Sequence, residues 1–104
     1  MPVSINYRGR FGNHLCQYIA ARIFAHKHNL NLLTKLDTQG VFEVNAVDHF
    51  ADDESDCLKK KMTFLDFDEN DELKYSGKKH YIFDCYFENG DYFSKNEALI
   101  KTFF

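Results

Sequence analysis

A change of hydrophobic period near the N-terminus constrains the fold more than any other feature of this chain. Val3, Ile5 and Tyr7 alternate with polar residues, the two-residue repeat of a strand, whereas Leu15, Cys16, Ile19, Ala20, Ile23 and Phe24 recur at helical spacing. The helical pattern should close near His28-Asn29, and Leu30-Asn31-Leu32-Leu33-Thr34 then has the length and branching of a second strand. Strand, helix and strand in this order favour a right-handed parallel βαβ unit, and with it an α/β fold built on a parallel sheet.

The turn between the first strand and the helix is Gly9-Arg10-Phe11-Gly12-Asn13. A strand, a glycine-containing turn and a helix leave backbone N–H groups unpaired at the helix start, and with the helix dipole they form a seat for a phosphate or another anion. The spacing is neither the dinucleotide fingerprint nor a Walker loop. The same residues also suit a plain tight turn, in which Gly9 and Gly12 supply unusual φ values and Asn13 is the N-cap. Gln17, Arg22, His26 and His28 fall largely away from the apolar face of the helix.

Further along, Val41-Phe42-Glu43-Val44 and Thr63-Phe64-Leu65-Asp66-Phe67 are short candidate strands, separated by a charged stretch from Asp48 to Lys61. Lys79 to Phe87 is the next strand, and Ser94-Lys95-Asn96-Glu97 has the form of a capping box opening a helix through Ala98, Leu99, Ile100 and Phe103. Phe103 and Phe104 have no obvious partner in this pattern. The chain contains no internal repeat or linker and is expected to be one domain, 1–104.

Gly9-Arg10-Phe11-Gly12-Asn13-His14-Leu15-Cys16-Gln17-Tyr18, continuing through Ala20-Ala21-Arg22, resembles the N-terminal signature of the α-1,2-fucosyltransferases, glycosyltransferase family 11. Tyr86-Phe87-Glu88-Asn89-Gly90-Asp91-Tyr92-Phe93 is similar to a second segment of that family, in the same order and at a suitable separation. The resemblance implies a Rossmann-like parallel-sheet half-domain of a GT-B glycosyltransferase, with inverting transfer of fucose from GDP-fucose to a sugar hydroxyl. It implies a nucleotide-sugar donor and a glycan acceptor as partners, no metal and no cofactor. Gly9, Arg10, Phe11, Gly12, Asn13 and His14 become the expected donor-binding residues, with backbone N–H groups of 10–13 and Arg10 facing the leaving diphosphate. No residue qualifies as a general base. His14 replaces the family's usual glutamine, and Cys16 its phenylalanine. The family's later His-x-Arg-Arg-Gly-Asp stretch has no counterpart, since no arginine follows Arg22. The resemblance therefore implies an N-terminal region without the C-terminal donor-binding half, inactive alone. The alternative is a non-catalytic sugar-nucleotide-binding or interaction module that needs a second chain.

Composition narrows the remaining classes. Hydrophobic residues make up 44% of the chain and aromatics 16%, enough for a core. No apolar run approaches a membrane span and the N-terminus does not resemble a signal peptide, so a cytoplasmic location is expected. The net charge of −3 conceals a basic first third (Arg8, Arg10, Arg22, Lys27, Lys35) and an acidic stretch over residues 48–72. The basic part suits a nucleotide-sugar phosphate or an ordinary mixed surface. Mild overall acidity disfavours nucleic acid as a partner. Cys16, Cys57 and Cys85 share no metal-type spacing and suit free thiols in a reducing compartment. Asp66-Phe67-Asp68 matches the Asp-x-Asp triplet of metal-dependent transferases, but an acid-rich segment produces it by chance. An EF-hand over Asp66, Asp68 and Asn70 fails, because the loop glycine and the terminal glutamate are replaced by Asp71 and Gly77.

Overall fold

The computed structural model describes residues 2–9, 11–33, 44, 58–77 and 79–104. Among the described residues four strands form one sheet: β1 (Pro2–Ile5), β2 (Asn31–Leu32), β3 (Lys59–Met62) and β4 (His80–Phe83). Their order is β2-β1-β4-β3 and every neighbouring pair is parallel. The fold is thus mixed α/β with an all-parallel sheet, the arrangement that the N-terminal periodicity favours. Helix α1 (Phe11–Lys27) links β1 to β2, and α2 (Gly90–Lys95) and α3 (Glu97–Ile100) follow β4.

Pairing register sets one face of the sheet. Val3 lies opposite Tyr81, Ile5 opposite Phe83, and Met62 opposite Phe83 on its other side; all five side chains are buried. Alternation along each strand therefore gathers them on the side that α1 covers. Phe24 of α1 packs edge-on against Tyr81 and Phe83, with ring centroids 4.8 and 5.5 Å apart, while Ala20, Ala21 and Ala25 allow close approach. Burial of a side chain such as Phe24 contributes about 2–3 kcal/mol. Helix α1 ends where Asn29 adopts a left-handed φ of 55°, a conformation asparagine tolerates better than most residues.

Several sequence expectations are corrected. Helix α1 starts at Phe11, so Asn13 is its third residue rather than its N-cap. Gln17 and Arg22 are buried: Gln17 against the Arg8 backbone, and Arg22 against the C-terminal residues, which with α3 cover this part of α1. Arg22 donates to Tyr18 Oη and to the Phe103 carbonyl, and its guanidinium lies 4.3 Å from the centre of the Phe103 ring. Phe103, expected to lack a partner, is only 2% exposed. Thr63–Phe67 is not a strand: Phe64–Asp66 form a single 3-10 turn, capped reciprocally by Thr63 and Asp66. The third strand lies just before it, in Lys59–Met62, at the end of the charged stretch. The strand expected over Lys79–Phe87 is shorter, His80–Phe83. Ser94 is inside α2, so its capping box does not form; Asn89 caps α2 by accepting from Tyr92 N. Of the expected strand at Val41–Val44 only Val44 is described, and it is not in a strand; Val41–Glu43, Thr34 and Asp48–Cys57 lie outside the described residues.

Candidate functional site

The carboxyl ends of β1 and β4 lie side by side, joined by a hydrogen bond from Asn6 N to the Phe83 carbonyl. Two loops leave the sheet here. Residues 6–10 carry the chain from β1 into α1, and Asp84–Asn89 carry it from β4 into α2. The two segments that carry the family resemblance, remote in sequence, therefore meet at one edge of the sheet.

Gly9 makes the first turn possible. Its φ is +77°, open to glycine and costly to other residues. A Cβ there would collide with Asn13 Nδ2 and stand 3.1 Å from Tyr86 Cε1. The Asn13 amide thus folds back over the turn, and the Tyr86 ring closes it from the β4 side. Gly12 behaves differently. It lies exposed in the first turn of α1, and an added Cβ would meet nothing within 4 Å. No acidic residue occupies that first turn. The His14 ring packs on Tyr7, with centroids 4.9 Å apart. Phe11 begins α1, and Arg10 lies outside the described residues.

Gln17, Lys61 and Asp84, which sequence reasoning missed as site residues, build the rest of this edge with Arg8, which it placed in the basic first third. Gln17, wholly buried, accepts from Arg8 N at 3.0 Å and donates to the Arg8 carbonyl at 2.8 Å. One amide side chain thereby satisfies both backbone groups of Arg8. The Arg8 side chain donates through Nε to Asp84 Oδ1 at 2.5 Å, and Lys61 Nζ reaches the other oxygen, Oδ2, at 3.0 Å. Asp84 is buried, and the two cations, Arg8 first, hold its carboxyl down at about 2. A signal for Gln17 existed: with Ala20, Ala21 and Phe24 it shares one helical face. Asp84 follows directly on an alternating strand but carries no motif, and Lys61 is hidden among three consecutive lysines.

The β4–α2 loop is held by Phe87, which adopts a left-handed φ of 54° with its ring buried against Phe83. A bulky residue keeps that conformation only where its surroundings enforce it. Tyr86 and Glu88 on either side are exposed. Of the aromatics in this segment, Phe87 and Tyr92 belong to the core, whereas Tyr86 faces the turn.

The other candidates lie elsewhere or serve the fold. Asp66 caps the 3-10 turn, and Asp68 accepts from the Asn70 and Glu72 amides. His28 stacks on Tyr75 at 4.1 Å near the far end of α1. Cys16 and Cys85 are free, half-buried thiols whose pKa values are raised chiefly by burial; Cys57 lies outside the described residues. Among the described residues no helix is long and apolar enough to cross a membrane. Comparison of the chain with protein-family models, with curated proteins and with solved structures finds no match.

Proposed function

We propose that this chain is the N-terminal, Rossmann-like half of a GT-B fucosyltransferase of the α-1,2 type, and that its glycine turn approaches the diphosphate of GDP-fucose. The observation that carries this reading is the contrast between its two turn glycines. Gly9 is required by the backbone, but Gly12 is not: among the described residues nothing fills the space an added Cβ would take. A glycine that the fold does not need, at the opening of a helix, suits close approach of a ligand to the backbone. The position agrees, since ligands of parallel α/β sheets bind outside the carboxyl ends of the strands.

In this reading an acceptor hydroxyl displaces GDP from the anomeric carbon of fucose. Negative charge builds on the departing diphosphate, and the N–H groups at the start of α1 together with Arg10 offset it. The chain supplies one wall of the cleft, and the second half of a GT-B enzyme supplies the other.

Titration with GDP, GDP-fucose and guanosine, followed by calorimetry, tests the proposal. The expected result is saturable binding of GDP and GDP-fucose but not guanosine. Gly12→Ala and Arg10→Ala should weaken it about tenfold or more, the scale of one lost charge-assisted contact. Absence of binding at millimolar GDP, in protein with an intact circular dichroism spectrum, would overturn the assignment. The chain would then be better described as an interaction module that has kept the architecture without the ligand.

A further inference from the structure

The Arg8–Asp84–Lys61 cluster carries more positive charge than a structural ion pair needs. Neutralising one buried carboxylate takes one cation; here two converge on it, from the β1–α1 loop and from β3, leaving a surplus positive charge among the described residues. Each cation remains largely in solvent, with the Arg8 side chain 56% exposed and that of Lys61 64% exposed. Arginines that serve only to pair a carboxylate commonly engage it through two parallel N–H groups. Arg8 uses Nε alone, and among the described residues its two terminal nitrogens have no partner. Its backbone is fixed at both N–H and carbonyl by Gln17, so the backbone share of its ordering entropy is already lost before any ligand arrives. Two spare-donor cations are thus held no further apart than one carboxylate and its hydrogen bonds allow, directly beside Gly9.

We propose that Arg8 and Lys61, set by Asp84, form an anion clamp for a diphosphate at the carboxyl edge of the sheet. The clamp uses side chains distinct from the backbone groups of the glycine turn. Its assignment to a nucleotide-sugar diphosphate rests on the function proposed above, but its chemistry does not. Arg8 Nη1 and Nη2 present a planar pair to two oxygens of one phosphoryl group, and Lys61 Nζ offers a point charge to the second.

Inorganic pyrophosphate, GDP and guanosine are the probes, applied at low and at physiological salt to the wild-type chain, Arg8→Gln, Lys61→Gln and Lys61→Arg. Both glutamine variants alter exposed side chains, and a retained circular dichroism spectrum with a cooperative thermal transition verifies their folding. The expected result is pyrophosphate binding that weakens about tenfold in each glutamine variant, is largely restored in Lys61→Arg, and falls as salt rises. Pyrophosphate binding with this pattern, without binding of GDP, would uphold the clamp and overturn the nucleotide-sugar reading. GDP binding that is insensitive to both glutamine variants would overturn the clamp and leave that reading standing. Absence of binding by either probe would overturn both.

Discussion

At the scale of single residues, the two turn glycines divide structure from function. Gly9→Ala places a side chain at φ +77° and drives it into Asn13, which should destabilise the fold by about 2 kcal/mol, visible as a lower urea midpoint. Gly12→Ala meets open space in a helical turn and should leave that midpoint unchanged or raise it, by up to about 1 kcal/mol. Equal destabilisation by the two changes would contradict the turn geometry. Asp84 gives a pH signature. Its carboxyl titrates at about 2 in the fold, against about 3.9 in an unfolded chain. A depressed acid stabilises the fold fully above its unfolded value, and that contribution is lost as pH falls from about 4 through about 2. Acid titration of wild type and Asp84→Asn should show a shallower loss for the variant over that window; identical limbs would mean that the two cations do not stabilise the charged form.

At the scale of elements, β1 was legible from its alternation and α1 from apolar residues at helical spacing, although residues 20–25 are buried all round the helix. Lys59–Met62 was not, since three lysines in a row hide any alternation. Its register with β4 places Lys60 and Met62 on the α1 side, leaving Met62 as the strand's one fully buried side chain. The Gly9–His14 turn was found through its glycines, whereas Arg8, Gln17, Lys61 and Asp84 meet only through sheet order and helix placement, which no local pattern encodes. Arg22 shows the same limit. An arginine on a helix suggests solvent, but α3 and the final residues cover it, and its charge is accommodated by Tyr18, the Phe103 carbonyl and the Phe103 ring. This contact ties α3 and the last residues to α1. Phe103→Ala should cost about 3 kcal/mol in denaturant unfolding and expose the α1 surface beneath it. A loss below 1 kcal/mol would show that the C-terminal residues contribute little to the core.

At the scale of the whole molecule, sheet order interleaves the two ends of the chain. β1 stands between β2, which follows it closely, and β4, which comes much later, so neither half holds a complete sheet. Fragments divided within residues 34–57 should each lack the far-ultraviolet signature of the intact protein; a folded N-terminal fragment would show that β1, α1 and β2 suffice by themselves. The same interleaving has a consequence in time. As the chain leaves the ribosome, β1 and α1 emerge well before β4, so the strand that must cover one side of β1 is still unwritten. At bacterial to eukaryotic elongation rates of about 5–20 residues per second, that side waits some seconds for His80–Phe83 to be made. During that interval Val3 and Ile5 sit in a strand with an open edge. The central place of β1 thus leaves the earliest-made of these strands among the last to be sheltered, and sets a period in which the nascent chain depends on whatever else in the cell will cover it.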